Sequence, residues 1–520
     1  MSGEIAFACP GSAFPRTASG APQPRKGDTR ARAAPRGAAP ARACGPRAVA
    51  PPSTRARPRA EESPAEQPPS PPSPPPPAFD VAVAGAGPAG LALAAALAER
   101  GAAVALVDPR LHVPWPNHYG VWRDEFEELG LAHCATATYP TTAVCVGGPA
   151  DKTVIDRPYI RVDRIALKDT LLQRCFAHGV VVANATVQHV EHVDSTFSTL
   201  TLKPADDLPD SEEPPPPQLS ARLVVDCTGH ALRFTKSAAP PQYVKPMEQA
   251  AYGIEAEVVS HPYQVDQMLL MDFRDNHMHE NAEDKAKSTA RPTFLYVFPT
   301  SPTRAFFEET SVIAPEAVSF EELKQRLYKR LRHDGVVVTK VIEEEFSLIP
   351  MGGTVPDSSQ RIVSFGGAAC LVHPATGYMV ARTMRLAGDV AKVIVDNLRC
   401  AEGPDARVDL VSRAVWQHLW SRSERRQRDF LNFGAQLLCN LGVDASRGFF
   451  DAFFALPNDL WRPFLSARLD EPTQRIYFAL YFFAIATPEI RFALFGAIFS
   501  IGRWNLIRSV LPLGLPFGDD

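Results

Sequence analysis

Residues 79–90 read FDVAVAGAGPAG, and this stretch decides the fold. A short apolar strand leads into Gly85, Gly87 and Gly90, and the alanine- and leucine-rich residues 91–98 that follow favour a helix. In a dinucleotide-binding turn of this order, the first glycine permits the tight turn, the second lets the pyrophosphate approach the backbone, and the third lets the helix pack against the strand. The helix N-terminus adds unpaired N–H groups that attract phosphate. The stretch therefore predicts a Rossmann-type α/β fold that binds a dinucleotide.

A second apolar strand supports this interpretation. Residues 104–107 read VALV and end in Asp108, at the spacing where a carboxylate meets a ribose hydroxyl. The alternative is a glycine turn in an unrelated sheet, which would not need the second strand and its acid. We therefore expect Gly85, Gly87, Gly90 and Asp108 to contact the cofactor.

Composition narrows the classes of function. The 520 residues are 45% hydrophobic and carry a formal net charge of −4, so we expect a large core and no nucleic-acid partner. The nine cysteines are scattered without a C-x-x-C pair, which argues against both a zinc site and a disulfide framework. The sequence predicts no metal site and reduced, mostly buried thiols.

The first 77 residues differ in character from the rest of the chain. Up to residue 59 they are rich in Ala, Pro and Arg and contain only two acids, Glu4 and Asp28, and a proline tract follows at 68–77. An acid-poor, arginine-rich leader without an apolar core is typical of an organellar transit peptide, and a generic disordered tail is the alternative. We expect residues 1–77 to be a disordered transit peptide with a Pro-rich linker.

The remaining chain alternates strands and helices, as in an α/β protein. We expect an FAD-binding domain built from residues 78–248 and 349–400. A β-sheet substrate domain, residues 249–348, is inserted between these two parts, and residues 401–520 form a helical, aromatic-rich region.

Local patterns inside the insert predict its elements. Apolar runs predict four strands and helical spacing predicts one helix. The strands are expected at 251–258, 268–273, 293–298 and 305–312, and the helix at 320–331.

A second small-residue turn lies at 361–369, which reads RIVSFGGAA. It resembles the second flavin motif of aromatic-hydroxylase-type flavoproteins, and we expect Gly366, Gly367 and Ala368 to contact the cofactor. Those enzymes usually have Gly-Asp where this chain has Gly366-Gly367. The missing carboxylate argues against hydroxylase chemistry.

The C-terminal region contains a cationic cluster at 423–428, many phenylalanines and two uncharged apolar runs at 476–486 and 492–501. Both runs are shorter than the roughly 20 residues that span a bilayer. They are predicted either to pack on the catalytic domain or to lie in a membrane interface, and clustered aromatics beside arginines favour the interface.

Several motifs between about residues 79 and 469 resemble those of the plant and cyanobacterial lycopene cyclases. The motifs are WPNHYGVW at 115–122, DEF at 124–126, DRPY at 156–159, FFEET at 306–310, IPMGG at 349–353 and HPATGYMVAR at 373–382. The resemblance implies a plastid enzyme of carotenoid biosynthesis with bound FAD in its reduced form and NADPH as electron donor. It also implies lycopene as substrate, and a plastid membrane surface and other carotenoid enzymes as partners.

The implied reaction is a non-redox cyclisation of the ψ end groups of lycopene. A terminal double bond is protonated, a ring closes through a carbocation, and a proton is lost. The motifs are more similar to β-cyclases than to ε-cyclases. An ε-cyclase, an FAD-dependent carotenoid monooxygenase or epoxidase, and a non-catalytic carotenoid-binding subunit remain the alternatives.

Such chemistry needs a proton donor in an apolar pocket. A buried glutamic acid is suited to this role, because burial raises its carboxyl pKa and keeps it protonated near neutral pH. The resemblance places the catalytic carboxylate at Glu308, next to Glu309. Neighbours in a strand point to opposite faces, so only one of the two can face a pocket while the other supports it or lies at the surface. Without the resemblance, an exposed strand edge would be the preferred interpretation of this pair.

Three further residues are candidates for the substrate pocket. Tyr119 and Trp122 are expected to line it, with aromatic core packing as the alternative. His373 either approaches the flavin or turns the chain before Pro374.

Overall fold

The computed structural model describes residues 77–147, 152–206, 208, 213–237, 244–401 and 407–511. The predicted transit peptide and linker lie outside these residues, apart from residue 77, and they remain a prediction.

The described residues form sixteen strands. In chain order these are β1 (Phe79–Ala84), β2 (Val104–Asp108), β3 (Gly120–Trp122), β4 (Ala135–Tyr139), β5 (Thr141–Cys145), β6 (Lys152–Ile155), β7 (Tyr159–Val162), β8 (Val181–His192), β9 (Ser198–Pro204), β10 (Gln218–Asp226), β11 (Met247–Val258), β12 (Gln267–Asp272), β13 (Thr293–Ser301), β14 (Arg304–Ser311), β15 (Val338–Met351) and β16 (Val363–Ser364).

The same residues form thirteen α-helices. They are α1 (Pro88–Ala98), α2 (Arg123–Glu128), α3 (Arg164–Ala177), α4 (Ala282–Ala290), α5 (Phe320–His333), α6 (Val380–Cys400), α7 (Val408–Leu419), α8 (Arg422–Leu438), α9 (Val443–Phe454), α10 (Asn458–Leu465), α11 (Pro472–Ile485), α12 (Pro488–Ala497) and α13 (Arg503–Val510).

The first sheet contains the predicted dinucleotide-binding unit. Strands β8, β2, β1, β10 and β16 run parallel in that order, and β9 joins β8 to β10 by antiparallel pairing. Val81 is the registered partner of Val104 on one side and of Leu223 on the other, so β1 is central and fully paired. Helix α1 buries all but one of its residues because alanine and leucine cover every face. The Rossmann-type α/β prediction is confirmed.

The second sheet has seven strands in the order β15–β11–β14–β13–β12–β5–β6. All four predicted strands are present as β11 to β14, and the predicted helix is α5. Strands β5 and β6 come from residues 141–155, inside the range assigned to the cofactor-binding part. The two sheets are therefore not separated at residue 248, and the division into domains remains a prediction.

Helix α5 covers one face of the second sheet and carries a buried ion pair. Arg330 donates from Nε and from Nη2 to the two carboxylate oxygens of Glu309, both at 2.8 Å, and Thr293 Oγ1 donates to Glu309 at 2.5 Å. A two-pronged guanidinium contact is the strong form of such a pair. Glu309 thus joins α5 to the sheet and is buried rather than placed at the surface.

The C-terminal region is helical from α7 to α13, as predicted. Aromatic contacts hold these helices together: the rings of Phe464 and Phe478 stack at 4.9 Å, and Phe449 meets Phe482 at 5.0 Å. In the described part of the chain, no single helix is both long and apolar enough to cross a membrane. The segments Pro488–Gly502 and Trp504–Val510 satisfy length and composition only as a pair, and they meet at 103°.

Candidate active site

The glycine loop between β1 and α1 has the geometry that its sequence predicts. Gly85 has φ +106°, and a Cβ there would lie 2.5 Å from the carbonyl oxygen of Cys227 in the turn after β10. A Cβ at Gly90 would lie 1.9 Å from the carbonyl oxygen of Gly85, so helix and loop meet at backbone distance. A Cβ at Gly87 would have no atom within 4 Å. Gly87 thus borders open space at the helix N-terminus, where a pyrophosphate fits.

Asp108 lies beside this loop at the end of β2. Its Oδ2 accepts a hydrogen bond from the backbone N–H of Ala86 at 2.8 Å, and its Oδ1 accepts one from Arg110 N–H at 2.7 Å. The carboxylate is therefore held at the edge of the glycine loop, in the position expected for a ribose contact.

The second cofactor motif packs against the first. Gly366, Gly367 and Ala368 lie in a 3-10 helix, Gly366–Ala369, whereas the long helix α6 begins only at Val380. The motif is therefore a single tight turn that residues 370–379 separate from α6. A Cβ at Gly366, which has φ +69°, would lie 2.6 Å from Ala89 Cβ in α1. The two predicted motifs form one site whose residues fit a dinucleotide.

A cavity of about 380 Å³ lies between the second sheet and the C-terminal helices. Its wall includes Tyr119, Trp122, His373 and Glu308, so the structure brings all of the predicted pocket residues and one of the two glutamates together. His230 also lines it. A Cβ at Gly367 would lie 3.2 Å from His230 Cε1, so the cavity adjoins the second cofactor motif.

One row of paired residues crosses the sheet on the cavity side. Glu308 in β14 is the registered partner of Tyr296 in β13 and of Gly253 in β11, and Gly253 is the partner of Glu345 in β15. Directly paired residues share a face. Tyr296, Glu308 and Glu345 therefore all face the cavity. The Phe306 ring occupies the place of a Gly253 side chain, since its Cζ would be 2.5 Å from a Cβ there.

The adjacent row explains why Glu309 does not reach the cavity. It pairs with Leu295 and Tyr252 on the opposite face, where Arg330 holds it. We expected Glu309 to take part at the catalytic site. This expectation is corrected, because Glu309 instead joins the sheet to α5.

Glu308 is half-buried and lines the cavity. Burial, together with the negative charge of Glu345, raises the pKa of Glu308 to about 8, while a hydrogen bond donated by Thr310 Oγ1 at 2.7 Å lowers it in part. A carboxyl group with this pKa is mostly protonated at neutral pH and can act as an acid.

Glu345 has the opposite environment. His118 Nδ1 at 2.7 Å, His118 N at 2.9 Å, Ser347 Oγ at 2.7 Å and Asn117 Nδ2 at 3.1 Å all donate to its carboxylate. Burial alone would raise the pKa of Glu345, but the bonds from His118 and Ser347 outweigh it, and the pKa is lowered. The cavity therefore contains one neutral and one ionised carboxyl group.

Aromatic side chains form much of the remaining wall. The hydroxyls of Tyr159 and Tyr378 are 3.1 Å apart, and Tyr296 Oη donates to Tyr159 Oη at 3.5 Å. Burial raises the pKa of all three tyrosines well above its usual value, so they stay neutral. Their faces, with Tyr119, provide π-electron density that attracts a cation.

Trp122 and His373 both line the cavity and are held by contacts within the protein. Trp122 lines the cavity and is also packed, with the Arg157 guanidinium 4.4 Å from its ring centroid. His373 Nδ1 accepts from Ala375 N–H at 3.2 Å, so Nε2 carries the proton and donates to the carbonyl of Phe464 at 2.8 Å. Burial lowers the pKa of His373 to about 3. His373 is thus neutral and ties its loop to α10 while forming part of the cavity wall.

Sequence reasoning missed Glu345 and gave no role to His118, which lies in the WPNHYGVW motif, or to Tyr296, which lies in a predicted strand. The available signal was the run of three glutamates at 343–345. In a strand, its first and third members share a face, but only the pairing of β15 with β11 shows that this face is the cavity.

Comparison with known sequences gives a consistent result. The family model described as lycopene cyclase protein matches residues 80–492. The chloroplastic lycopene beta cyclase of Arabidopsis thaliana is 40% identical over 415 residues, 79% of each chain. The corresponding protein of Solanum lycopersicum is 41% identical over 418 residues, 80% of this chain and 79% of the relative. A capsanthin/capsorubin synthase of Citrus sinensis is 42% identical over 395 residues, 75% of this chain and 74% of the relative.

Solved structures share the fold at low identity. A geranylgeranyl bacteriochlorophyll reductase-like protein from Thermoplasma acidophilum superimposes with a TM-score of 0.59 at 14% identity, over 81% of this chain and 99% of the other. A variant of the halogenase PltM in complex with FAD gives 0.51 at 12% identity, over 81% and 95%. The predicted flavoprotein fold is confirmed.

The open space at Gly87 gives a direct test of the cofactor site. We expect Gly87→Leu to fold with an unchanged melting temperature in the cofactor-free state, since nothing lies within 4 Å of its Cβ. It should bind FAD at least about tenfold more weakly, because the side chain enters the space for the pyrophosphate. Titration of the cofactor-free protein with FAD measures this. Gly496→Leu, at an equally open position in α12, is the control. Equal affinity of both variants would contradict the assignment.

Proposed function

The chain belongs to the lycopene cyclase family, and on that premise we propose that it closes the ψ end groups of lycopene into β-rings, with Glu308 as the acid. The observation that carries the assignment of Glu308 is its position on the wall of a cavity lined by aromatic side chains, where burial and the charge of Glu345 raise its carboxyl pKa. The related lycopene beta cyclases support the substrate and the ring type.

The proposed step is an isomerisation. Glu308 gives its proton to a terminal double bond of the end group. The resulting cation is attacked by the neighbouring double bond, which closes a six-membered ring and moves the positive charge into it. Tyr296, Tyr159 and Tyr378 line this space and stabilise the charge through their ring faces. Loss of one proton forms the ring double bond, so the substrate gains and loses one proton without net oxidation.

We also propose FAD as the resident cofactor. The residues that would hold it are Gly85, Gly87, Gly90, Asp108, Gly366, Gly367 and Ala368. Bound in its reduced form, FAD supplies negative charge that favours a nearby cation, and NADPH is the proposed electron donor for that reduction.

The outer surface of the C-terminal helices supports a place at the plastid membrane. Large apolar side chains of α12 and the turn after it are exposed, with Phe492 80% accessible and Phe495 and Phe499 also exposed. Exposed aromatics on short helices favour an interfacial position. The chloroplastic relatives support a plastid location. Contact with other carotenoid enzymes remains a prediction from the sequence.

Expression in a lycopene-accumulating host tests the function. We expect β-carotene and its monocyclic precursor, and we expect Glu308→Gln to lower ring formation by roughly 1,000-fold with FAD still bound, because the amide cannot donate the proton. Chromatography of the pigments is the measurement, and the exposed Glu257→Gln on the same sheet is the control. Oxygenated or ε-ring products would contradict the proposed reaction, and full activity of Glu308→Gln would contradict the acid.

The pH dependence follows from the raised pKa of Glu308. The protonated acid is lost as pH rises through about 8, so kcat/KM should fall about tenfold per pH unit above that value. Thr310→Val removes a hydrogen bond that favours the ionised form, so the pKa should rise and the alkaline limb should move to higher pH. Initial rates between pH 6 and about 10 measure both effects. A limb that moves to lower pH in Thr310→Val would contradict this electrostatic account.

Membrane association is tested with vesicles of anionic and neutral lipid. We expect the protein to float with vesicles, and a variant with Phe492, Phe495 and Phe499 changed to Ser to remain in solution with an unchanged melting temperature, because its interfacial apolar surface is lost. A variant with Phe176→Ser, an exposed phenylalanine in α3, is the control. Flotation of the triple variant at the level of the wild type would exclude this surface as the contact.

A further inference from the structure

The geometry points to Glu345 as the base that receives the proton lost when the ring is completed, and to His118 as the residue that holds the Glu345 carboxylate in place. The inference rests on the proposed cyclisation and adds a residue for its last step.

Position is the first argument. Glu345 and Glu308 lie on one cavity wall in the same row, separated by the strand that carries Gly253. Neighbouring strands lie about 4.8 Å apart, so the two backbone positions are roughly 10 Å apart across the row. Two carboxyl groups leaning from these positions can contact opposite edges of one six-membered ring. Gly253 contributes no side chain between the two carboxyl groups, and the Phe306 ring occupies that space on the wall.

Hydrogen bonding is the second argument. Three residues direct four donors at Glu345, whereas Thr310 donates a single bond to Glu308. A carboxylate that accepts several hydrogen bonds is stabilised as the anion, which is the form that accepts a proton. Two carboxyl groups in one site with opposite environments are the usual arrangement of an acid and a base.

A path to solvent is the third argument. His118 Nδ1 contacts Glu345, whose side chain is 4% accessible, and His118 Nε2 lies 3.8 Å from Glu343, whose side chain is 37% accessible. Glu343 and Glu345 are two residues apart in β15 and share a face. His118 therefore links the buried carboxylate to a half-exposed one.

The proton balance closes over one turnover. Glu308 loses one proton to the substrate, and Glu345 takes one from a carbon next to the ring cation, whose C–H electron pair becomes the ring double bond. Glu345 returns that proton to solvent on the side of His118 and Glu343, and Glu308 is reprotonated from solvent. The substrate formula is unchanged. The carbon from which Glu345 takes the proton decides the ring isomer.

Variants at residue 345 test this role. We expect Glu345→Gln to lower β-ring formation at least about 100-fold, because the amide is not a base. We expect Glu345→Asp to keep part of the rate but to move the product toward other ring isomers, because its carboxylate is withdrawn by one methylene. His118→Asn should lower the rate about tenfold, since Glu345 keeps its other donors. Product chromatography gives rate and ring ratio together, and FAD content and melting temperature report folding.

Glu344→Gln is the matched control. It lies on the same strand but on the opposite face, bonded to Tyr252 and Lys324, and it should retain the wild-type rate and product. Folded Glu345→Gln with a rate within about threefold of wild type would overturn the inference. So would Glu345→Asp with a reduced rate and an unchanged ring ratio, and this variant decides alone if Glu345→Gln does not fold. A wild-type protein that forms no β-rings would instead refute the proposed function.

Discussion

The alternation of side chains along β14 is the constraint on which the site depends. Glu308 and Glu309 are adjacent in sequence, yet one faces an aromatic cavity and the other is clamped by Arg330 under α5. Removing a carboxyl group from water costs free energy, and the two residues meet that cost in different ways. Glu308 stays protonated, whereas Glu309 is compensated by a guanidinium. A slip of one residue in the pairing of β14 would exchange their positions and abolish both arrangements.

Local features were predictable from the sequence because their causes are local. The glycine loop follows from backbone geometry at Gly85 and Gly90, and α5 follows from its apolar spacing. The seven-stranded sheet was only partly predictable, since β5 joins it by pairing with β12 from more than a hundred residues away and β6 then pairs with β5. Glu345 was missed for the same reason, because its contact with the cavity exists only through the pairing of β15 and β11. The sequence left open whether His373 approaches the flavin or turns the chain before Pro374. Its hydrogen bonds to Phe464 and Ala375 show that it holds its loop against α10.

The phenylalanines of the C-terminal helices occupy two different environments. Phe464 and Phe478 stack inside the protein, and Phe464 also lines the cavity, whereas Phe492 and Phe495 expose their rings. Both sets come from a region whose composition alone permitted either packing or a membrane interface. Packing therefore accounts for the phenylalanines of α10 and α11, and a membrane interface remains the proposal for the exposed ones of α12.

His230 touches Gly367 of the second cofactor motif and also lines the cavity. A ligand at the cofactor motif and a ligand in the cavity would therefore both lie near His230. If the first ligand displaces His230, it changes the binding free energy of the second ligand. The second ligand then changes the binding free energy of the first by the same amount, because thermodynamic coupling is reciprocal. The two sites are in this sense a single binding system, and an affinity measured for one ligand is defined only when the occupancy of the other site is stated.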